Sequence, residues 1–365
     1  MLKNIKMKNT RLNILLILLI PLWMQAKMPE GKYKKIKTVH KSYQVEAQES
    51  ILIDNSYGNI QISTWDKNTV DILASISADG NDQNNVNNRL RSIQVDIKKN
   101  NRAIEAITQI GNMHSSWNFW SKIFGSDNNV NFKINYEVHI PAGINVQINN
   151  NYGNVFVDRL EGKLELNLDY GKFEIGELLH DNNRITTDYL SSSTIDFIKS
   201  GIFHSDYSKI HIQTAYELEL KCDYSRIEID RVRRLKFEND GGSIHVDDVK
   251  EVNGSGDYQN RYFANVSYLN FKGDYGSLKI ENLLPGFESI KLQCDYTNIR
   301  IENLRQAAYR LNIRQEYGCF KQNGLNIYKE INNNGDKIIE GYYRNRNAGS
   351  FIKITEDYGC IKIYN

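Results

Sequence analysis

Proline is scarce in this chain. Four occur in 365 residues: Pro21, Pro29, Pro141 and Pro285. Proline cannot donate to a β ladder and stays out of paired strand interiors, so most of the chain is open to strand pairing. Cysteine is equally scarce, at Cys222, Cys294, Cys319 and Cys360. Net charge of one sign is missing too. Lys and Arg number 46 against 44 Asp and Glu, and residues 1–26 hold four of the basic residues and no acidic one. Charges this evenly balanced argue against a polybasic nucleic-acid or membrane binder. Catalytic signatures are lacking as well. There is no Gly-x-Ser-x-Gly, no phosphate loop and no His-Glu-x-x-His, and the seven histidines are scattered. The reading is a non-enzyme without a cofactor.

What the chain does have is tyrosine on a beat. The phrase Asp-Tyr-Gly/Ser-x-Ile-x-Ile returns as LDYGKFEI, SDYSKIHI, CDYSRIEI, GDYGSLKI, CDYTNIRI and EDYGCIKI. Its tyrosines are Tyr57, Tyr152, Tyr170, Tyr189, Tyr207, Tyr224, Tyr258, Tyr275, Tyr296, Tyr317 and Tyr358, half of the 22 present. From Tyr152 to Tyr317 the steps are 18, 19, 18, 17, 34, 17, 21 and 21 residues. The 34 is two steps of 17, because Asp240-Gly241-Gly242-Ser243-Ile244 is the same phrase with Gly in the tyrosine slot. A fixed period of this size marks a repeat architecture.

Apolar and polar residues alternate within each repeat. Leu164, Leu166 and Leu168 precede Tyr170, and Phe173 and Ile175 follow it. Period-2 alternation predicts strands with one buried face. A unit this short buries its apolar face only by stacking on its neighbours. The expected fold is all-β: a right-handed, single-stranded β-solenoid with an N-terminal β cap, its coils stacked at roughly 4.8 Å. The domain reading is 1–26 signal peptide, 27–143 N-terminal β cap or elaborated first coil, and 144–365 regular β-solenoid. Leucine-rich repeats need a helix-like segment that the pattern lacks.

Residues 1–26 read as an export signal. Lys3, Lys6, Lys8 and Arg11 precede an apolar run from Leu12 to Trp23, with Ala26 as a cleavage point. The expected location is the periplasm or the outer cell surface, with no integral membrane segment after cleavage. No barrel, wall anchor or sorting domain is legible after the last repeat, which keeps the periplasm beside the surface.

Four features are candidates for function. The residue before the tyrosine slot is almost always Asp, including Asp206, Asp223, Asp240, Asp257 and Asp274. These predict a vertical file of carboxylates capping their own turns, with Lys172, Lys209 and Arg226 offsetting the charge. A row of Ca²⁺ sites is the alternative. The tyrosines predict an inward-facing aromatic corner, since alternation from Leu164, Leu166 and Leu168 points Tyr170 to the core. An exposed aromatic track for sugars is the alternative. Trp117, Phe119, Trp120 and Phe124 lie in a polar stretch, 114–129, outside the repeat register. They form a candidate ligand-binding loop or a lid on the open end. The cysteines predict no disulfide. Cys222 and Cys294 share a slot four coils apart, and Cys319 and Cys360 share another about two coils apart, roughly 10 Å. A disulfide needs Cα atoms within about 7 Å.

The stretches ILIDNSYGNIQISTWDKNTVDILASI and NYEVHIPAGINVQINNNYGNVFVDRLEGKLEL, with the ladder of Tyr-Gly phrases after them, resemble an exported bacterial putative-adhesin family. That family is related to the GIN-domain, or auto-transporter adhesin head, proteins. The resemblance covers roughly Tyr43 to Asn365. It implies a right-handed β-helix and carries over no ligand or catalytic residues. The expected function is therefore an exported adhesin or recognition module that binds a glycan or a protein through its side surface or the aromatic loop. A periplasmic scaffold or envelope-stress component is the second reading, and a β-helical polysaccharide-degrading enzyme the third. The last coil, ending at Ile363-Tyr364-Asn365, is expected to leave an open edge suited to end-to-end self-association.

Overall fold

The structure, a computed structural model, describes residues 31–46, 49–111, 130–303 and 306–365. The export signal at 1–26 and the aromatic loop at 114–129 lie outside the described residues. Described residues form strands almost throughout, with one helix.

Alternation builds the repeat as expected. In the strand Leu164–Asp169, Leu164, Leu166 and Leu168 are buried while Asn167 faces solvent. It pairs in parallel with Asn145–Asn151 on one side and Asn183–Asp188 on the other. From Lys209 to Lys272 each strand runs from one tyrosine turn toward the next and pairs with its successor in parallel, 17 residues on. Ile227 meets Ile244, Val232 meets Val249 and Leu235 meets Val252. Like residues thus stack in columns, and their apolar side chains form one continuous core. Where a step lengthens to 21 residues, Leu284 to Phe287 makes an extra turn closed by the Phe287 amide on the Leu284 carbonyl (2.9 Å). Pro285 sits in that turn, as proline must.

The sheet is mixed, because both ends are antiparallel. At the N-terminal end, Thr69–Gly80 lies between Tyr33–Gln44 and Val130–Pro141, antiparallel to both. Ile93–Asn100 pairs antiparallel with Ala103–Ile110. Within this end, Ser50–Ser56 and Ile60–Trp65 form a repeat unit of their own. They pair in parallel with Asn145–Asn151 and Asn154–Leu160, and their core residues join the main core. The helix Gln83–Ser92 was not foreseen in the polar stretch after Asp79. Asp82 caps it, accepting from the Asn85 amide (2.9 Å), and Val86 buries against Ala78 and Val130.

The C-terminal end overturns two expectations. The final strands do not form the last repeat. Phe351–Asp357 inserts between Ser289–Asp295 and Tyr309–Glu316, parallel to both. Cys360–Tyr364 pairs with Thr297–Glu302 and with Cys319–Gln322. Ile363 is therefore paired on both sides, with Ile301 and Gln322, and the last strand is no open edge. The outer side of Tyr309–Glu316 is covered by an antiparallel hairpin, Asp336–Tyr343 and Asn326–Asn333. The outermost strand carries exposed Lys329 and Glu330, and charge on an edge discourages pairing with another chain. The second correction follows from the first. Cys319 and Cys360 are register partners on neighbouring strands, with Cα atoms 4.5 Å apart, and form a disulfide. The sequence distance counted the hairpin as an extra repeat. Cys222 and Cys294 are free and buried.

Candidate functional site: an exposed tyrosine ladder

The phrase tyrosines do not point inward. All eleven have left-handed backbones, with φ between 49° and 66°. In a continuing strand the residue two after Leu168 would face the core. A single left-handed residue turns the chain at the corner and throws its side chain outward instead. Ten of these tyrosines, from Tyr152 to Tyr358, are exposed. The inward expectation failed because alternation holds only while φ stays negative.

The turns fix where each ring goes. The tyrosine amide donates to the carbonyl of the Asp one repeat on: Tyr170 to Asp188 (3.1 Å), Tyr207 to Asp223 (3.1 Å), Tyr224 to Asp240 (2.8 Å). Repeats approach so closely here that a Cβ on Gly171 would collide with the Gly153 carbonyl. The corners stack in register, so the rings stack too. Centroid distances are 5.2 Å for Tyr57–Tyr152, 4.9 Å for Tyr152–Tyr170, 5.1 Å for Tyr170–Tyr189, and 5.2 Å for both Tyr189–Tyr207 and Tyr207–Tyr224. The ladder resumes with Tyr258–Tyr275 (4.8 Å), Tyr275–Tyr296 (5.0 Å), Tyr296–Tyr358 (4.8 Å) and Tyr358–Tyr317 (5.4 Å). Planes agree within 3–6°, except 17° at the last pair. The inserted C-terminal strands explain why Tyr358 precedes Tyr317 in space.

Holding a non-glycine residue in this conformation costs roughly 1–2 kcal/mol. A stacked aromatic pair returns about 0.5–1.5 kcal/mol. The two are of similar size, so stacking offsets the strain. Glycine would adopt the turn without strain, as Gly241 does at φ 68°. The tyrosines are therefore there for their rings. Crowding by neighbours and their phenols raises the pKa of Tyr152, Tyr275 and Tyr358, with desolvation the larger cause.

The Asp file runs beside the ladder, but the carboxylates do not cap their own turns. Each Oδ1 accepts from the backbone amide of the next Asp: Asp206 from Asp223 (3.1 Å), Asp223 from Asp240 (2.8 Å), Asp240 from Asp257 (2.8 Å), Asp257 from Asp274 (2.7 Å) and Asp274 from Asp295 (3.0 Å). The file is a hydrogen-bond chain between repeats. Desolvation, then the charge of neighbouring members, raises the pKa of Asp169 and Asp295. Lys172 and Arg226 do not offset the file. They pair along their own strands with Glu174 and with Glu228 (2.6 Å). Among the described residues no group of three or more His, Cys, Asp or Glu is placed to hold a metal ion.

Sequence reasoning also missed Arg261. It takes a slot filled by Ile244 before it and Leu278 after it, yet it is fully buried. Its guanidinium lies 4.2 Å from the Phe271 ring centroid and donates to the carbonyls of Gln259 and Gly256. Burial pulls its pKa down to about 10, against the pull of nearby acidic groups. The signal was an arginine where the repeat asks for an aliphatic residue.

No family model and no curated protein matches the chain. Ten chains of solved structures do. A putative cell adhesion protein from Clostridium sporogenes is 9% identical, covering 90% of this chain and 99% of its own, with a TM-score of 0.20. A putative adhesin from Bacteroides fragilis is 15% identical, covering 73% and 97%, at 0.32. A putative lipid binding protein from Parabacteroides distasonis is 9% identical, covering 74% and 98%, at 0.37.

Proposed function

We propose that this chain is an exported, non-enzymatic recognition module that holds an extended glycan along its tyrosine ladder. In this reading the parallel repeats wind as a right-handed, single-stranded β-solenoid. The solenoid makes a stiff rod, and the ladder is a straight track on its side. The observation that carries the reading is the outward stack of rings. Eleven turns hold strained tyrosines where glycine would serve the backbone better, and ten of those rings are exposed to solvent. The rings repeat at about 5 Å, a length comparable to one hexopyranose. Phenol hydroxyls line the track, and the Asp file beside it offers further acceptors for sugar hydroxyls. The loop carrying Trp117, Phe119, Trp120 and Phe124 remains a second candidate contact in this proposal.

The test is titration calorimetry of the full chain with neutral hexaoses, comparing wild type with Tyr170→Ala/Tyr189→Ala. Binding that weakens in the double variant, with the fold intact by circular dichroism, is the expected result. Equal binding by both proteins would place the contact elsewhere. Protease treatment of intact cells, with a periplasmic control protein followed alongside, tests surface display. Cleavage of this protein while the control survives is expected.

A further inference from the structure

We infer that the break in the ladder at Gly241 is the principal subsite, a slot that takes one pyranose ring of a neutral glycan between Tyr224 and Tyr258. The inference rests on the ladder reading above and locates its strongest contact. Inside the continuous runs each ring between two others is covered on both faces, so a ligand meets only edges and hydroxyls there. Aromatic rings attract the C–H faces of sugars through their own faces. Two such faces look at each other at one place only among the described residues.

The geometry of that place is set by a missing side chain. Strands Arg226–Glu238, Ser243–Ser255 and Gln259–Lys272 pair in succession without a change of register. The corner between Tyr224 and Tyr258 is thus an ordinary step, and Gly241 keeps the turn, with φ 68°. Its amide makes the usual bond, to the Asp257 carbonyl (2.9 Å). Only the ring is absent. Tyr224 and Tyr258 stand two steps apart where adjacent rings stand 4.8–5.4 Å apart. Their exposure records the open faces: 62% and 68%, against 37–52% for the tyrosines stacked on both sides. Tyr317 reaches 62% as the last ring of the stack, but it has no partner facing it across a gap.

The rim selects the class of ligand. Asp240 precedes Gly241 and is exposed, with Oδ1 engaged by the Asp257 amide (2.8 Å). Ser243 and Asn260 are register partners just past the turn. Arg226 is already paired with Glu228. Hydroxyl, amide and carboxylate groups around two aromatic faces fit a hydroxyl-bearing ring. An inserted aromatic side chain of a protein would leave them unused, and a fully charged ring would meet neighbours of both signs.

Gly241→Tyr tests this directly, because it restores the missing ring at a backbone already suited to it. A Cβ at Gly241 would stand 2.8 Å from Tyr224 Cδ1, so the Tyr224 ring, already stacked on Tyr207, must give way slightly to admit it. Wild type, Gly241→Tyr and Tyr258→Ala are titrated with cellohexaose, chitohexaose and maltohexaose, and separately with tetramethylammonium chloride. Tyr170→Ala/Tyr189→Ala is run alongside. The expectation is that at least one hexaose binds wild type and binds Gly241→Tyr about 30-fold more weakly, the loss of two stacking faces. The melting temperature of Gly241→Tyr should be unchanged or raised. Tyr258→Ala, which removes one wall, should lose binding by another route. If a hexaose binds and both slot variants bind it as wild type does, the slot is overturned; weakened binding by Tyr170→Ala/Tyr189→Ala would then leave the ladder reading standing. Wild type that binds no hexaose overturns both. Tetramethylammonium binding that is lost in Gly241→Tyr, without hexaose binding, overturns the ligand class.

Discussion

From Lys209 to Lys272 the chain advances 17 residues per repeat, and every strand lies beside the next one in sequence. From Tyr309 to Tyr364 strands of the same composition pair out of order. The last two slip inside the stack, and a hairpin closes it. The difference is one of boundary conditions. In the middle each unit is covered on both sides by units like itself, so a period alone fixes its neighbours. An end exposes unpaired backbone groups and half of a core, and must be closed by something unlike the repeat.

Substitutions sharpen that contrast. The largest effect is expected in the middle. Phe263 is fully buried among columns from neighbouring repeats, and Phe263→Ala should cost about 3–5 kcal/mol. Urea denaturation should show the whole transition moving. A separate early phase would mean that the repeats unfold independently. Next is the C-terminal disulfide. Cys319→Ser/Cys360→Ser should cost about 2–4 kcal/mol, and hydrogen exchange should place the loss in residues 306–365. Reductant should reproduce it in wild type and leave the double variant unaffected. A thermal shift that ignores reductant would contradict the pairing of these strands.

The ladder gives a finer comparison. Tyr189 stacks on two rings and Tyr258 on one. Tyr189→Ala should therefore cost about 1–3 kcal/mol and Tyr258→Ala about half of that. Equal losses would mean that stacking contributes nothing. The smallest effect concerns pH. Glu356 is buried, and burial raises its pKa despite hydrogen bonds from Gln315 and the Thr297 amide. A carboxyl with a raised folded pKa lowers stability as pH climbs past its ordinary value. Wild type should be more stable at pH 5 than at pH 7, and Glu356→Gln should shrink that gap. A gap unchanged in Glu356→Gln would remove Glu356 as its source.

The period, the strands and the parallel register of the middle were legible, because Leu164, Leu166 and Leu168 and their counterparts report burial directly. Two things were hidden. One was the side to which the tyrosines point. That depends on the sign of one dihedral, which alternation does not carry, although the Asp-Tyr-Gly/Ser phrase marks a turn. The other was the threading at the C-terminal end. Residues 326–343 break the alternation, with Ile338-Ile339 and Tyr342-Tyr343 side by side, and Asn334-Gly335 between their strands is a hairpin signal that the repeat period masked. The disulfide was missed for the same reason. The slot at Gly241 was visible as a Gly in the tyrosine register, but it has meaning only once the rings are known to face outward.

Hydroxyl-radical footprinting of the full chain, read by mass spectrometry at each tyrosine, tests the central claim most directly. The account predicts strong modification of Tyr152, Tyr170, Tyr189, Tyr207, Tyr224 and Tyr258, and protection of Tyr136 and Tyr309, which are buried in the core. Ladder tyrosines as protected as Tyr136 and Tyr309 would mean that the rings face inward, and would contradict the exposed ladder and the function built on it.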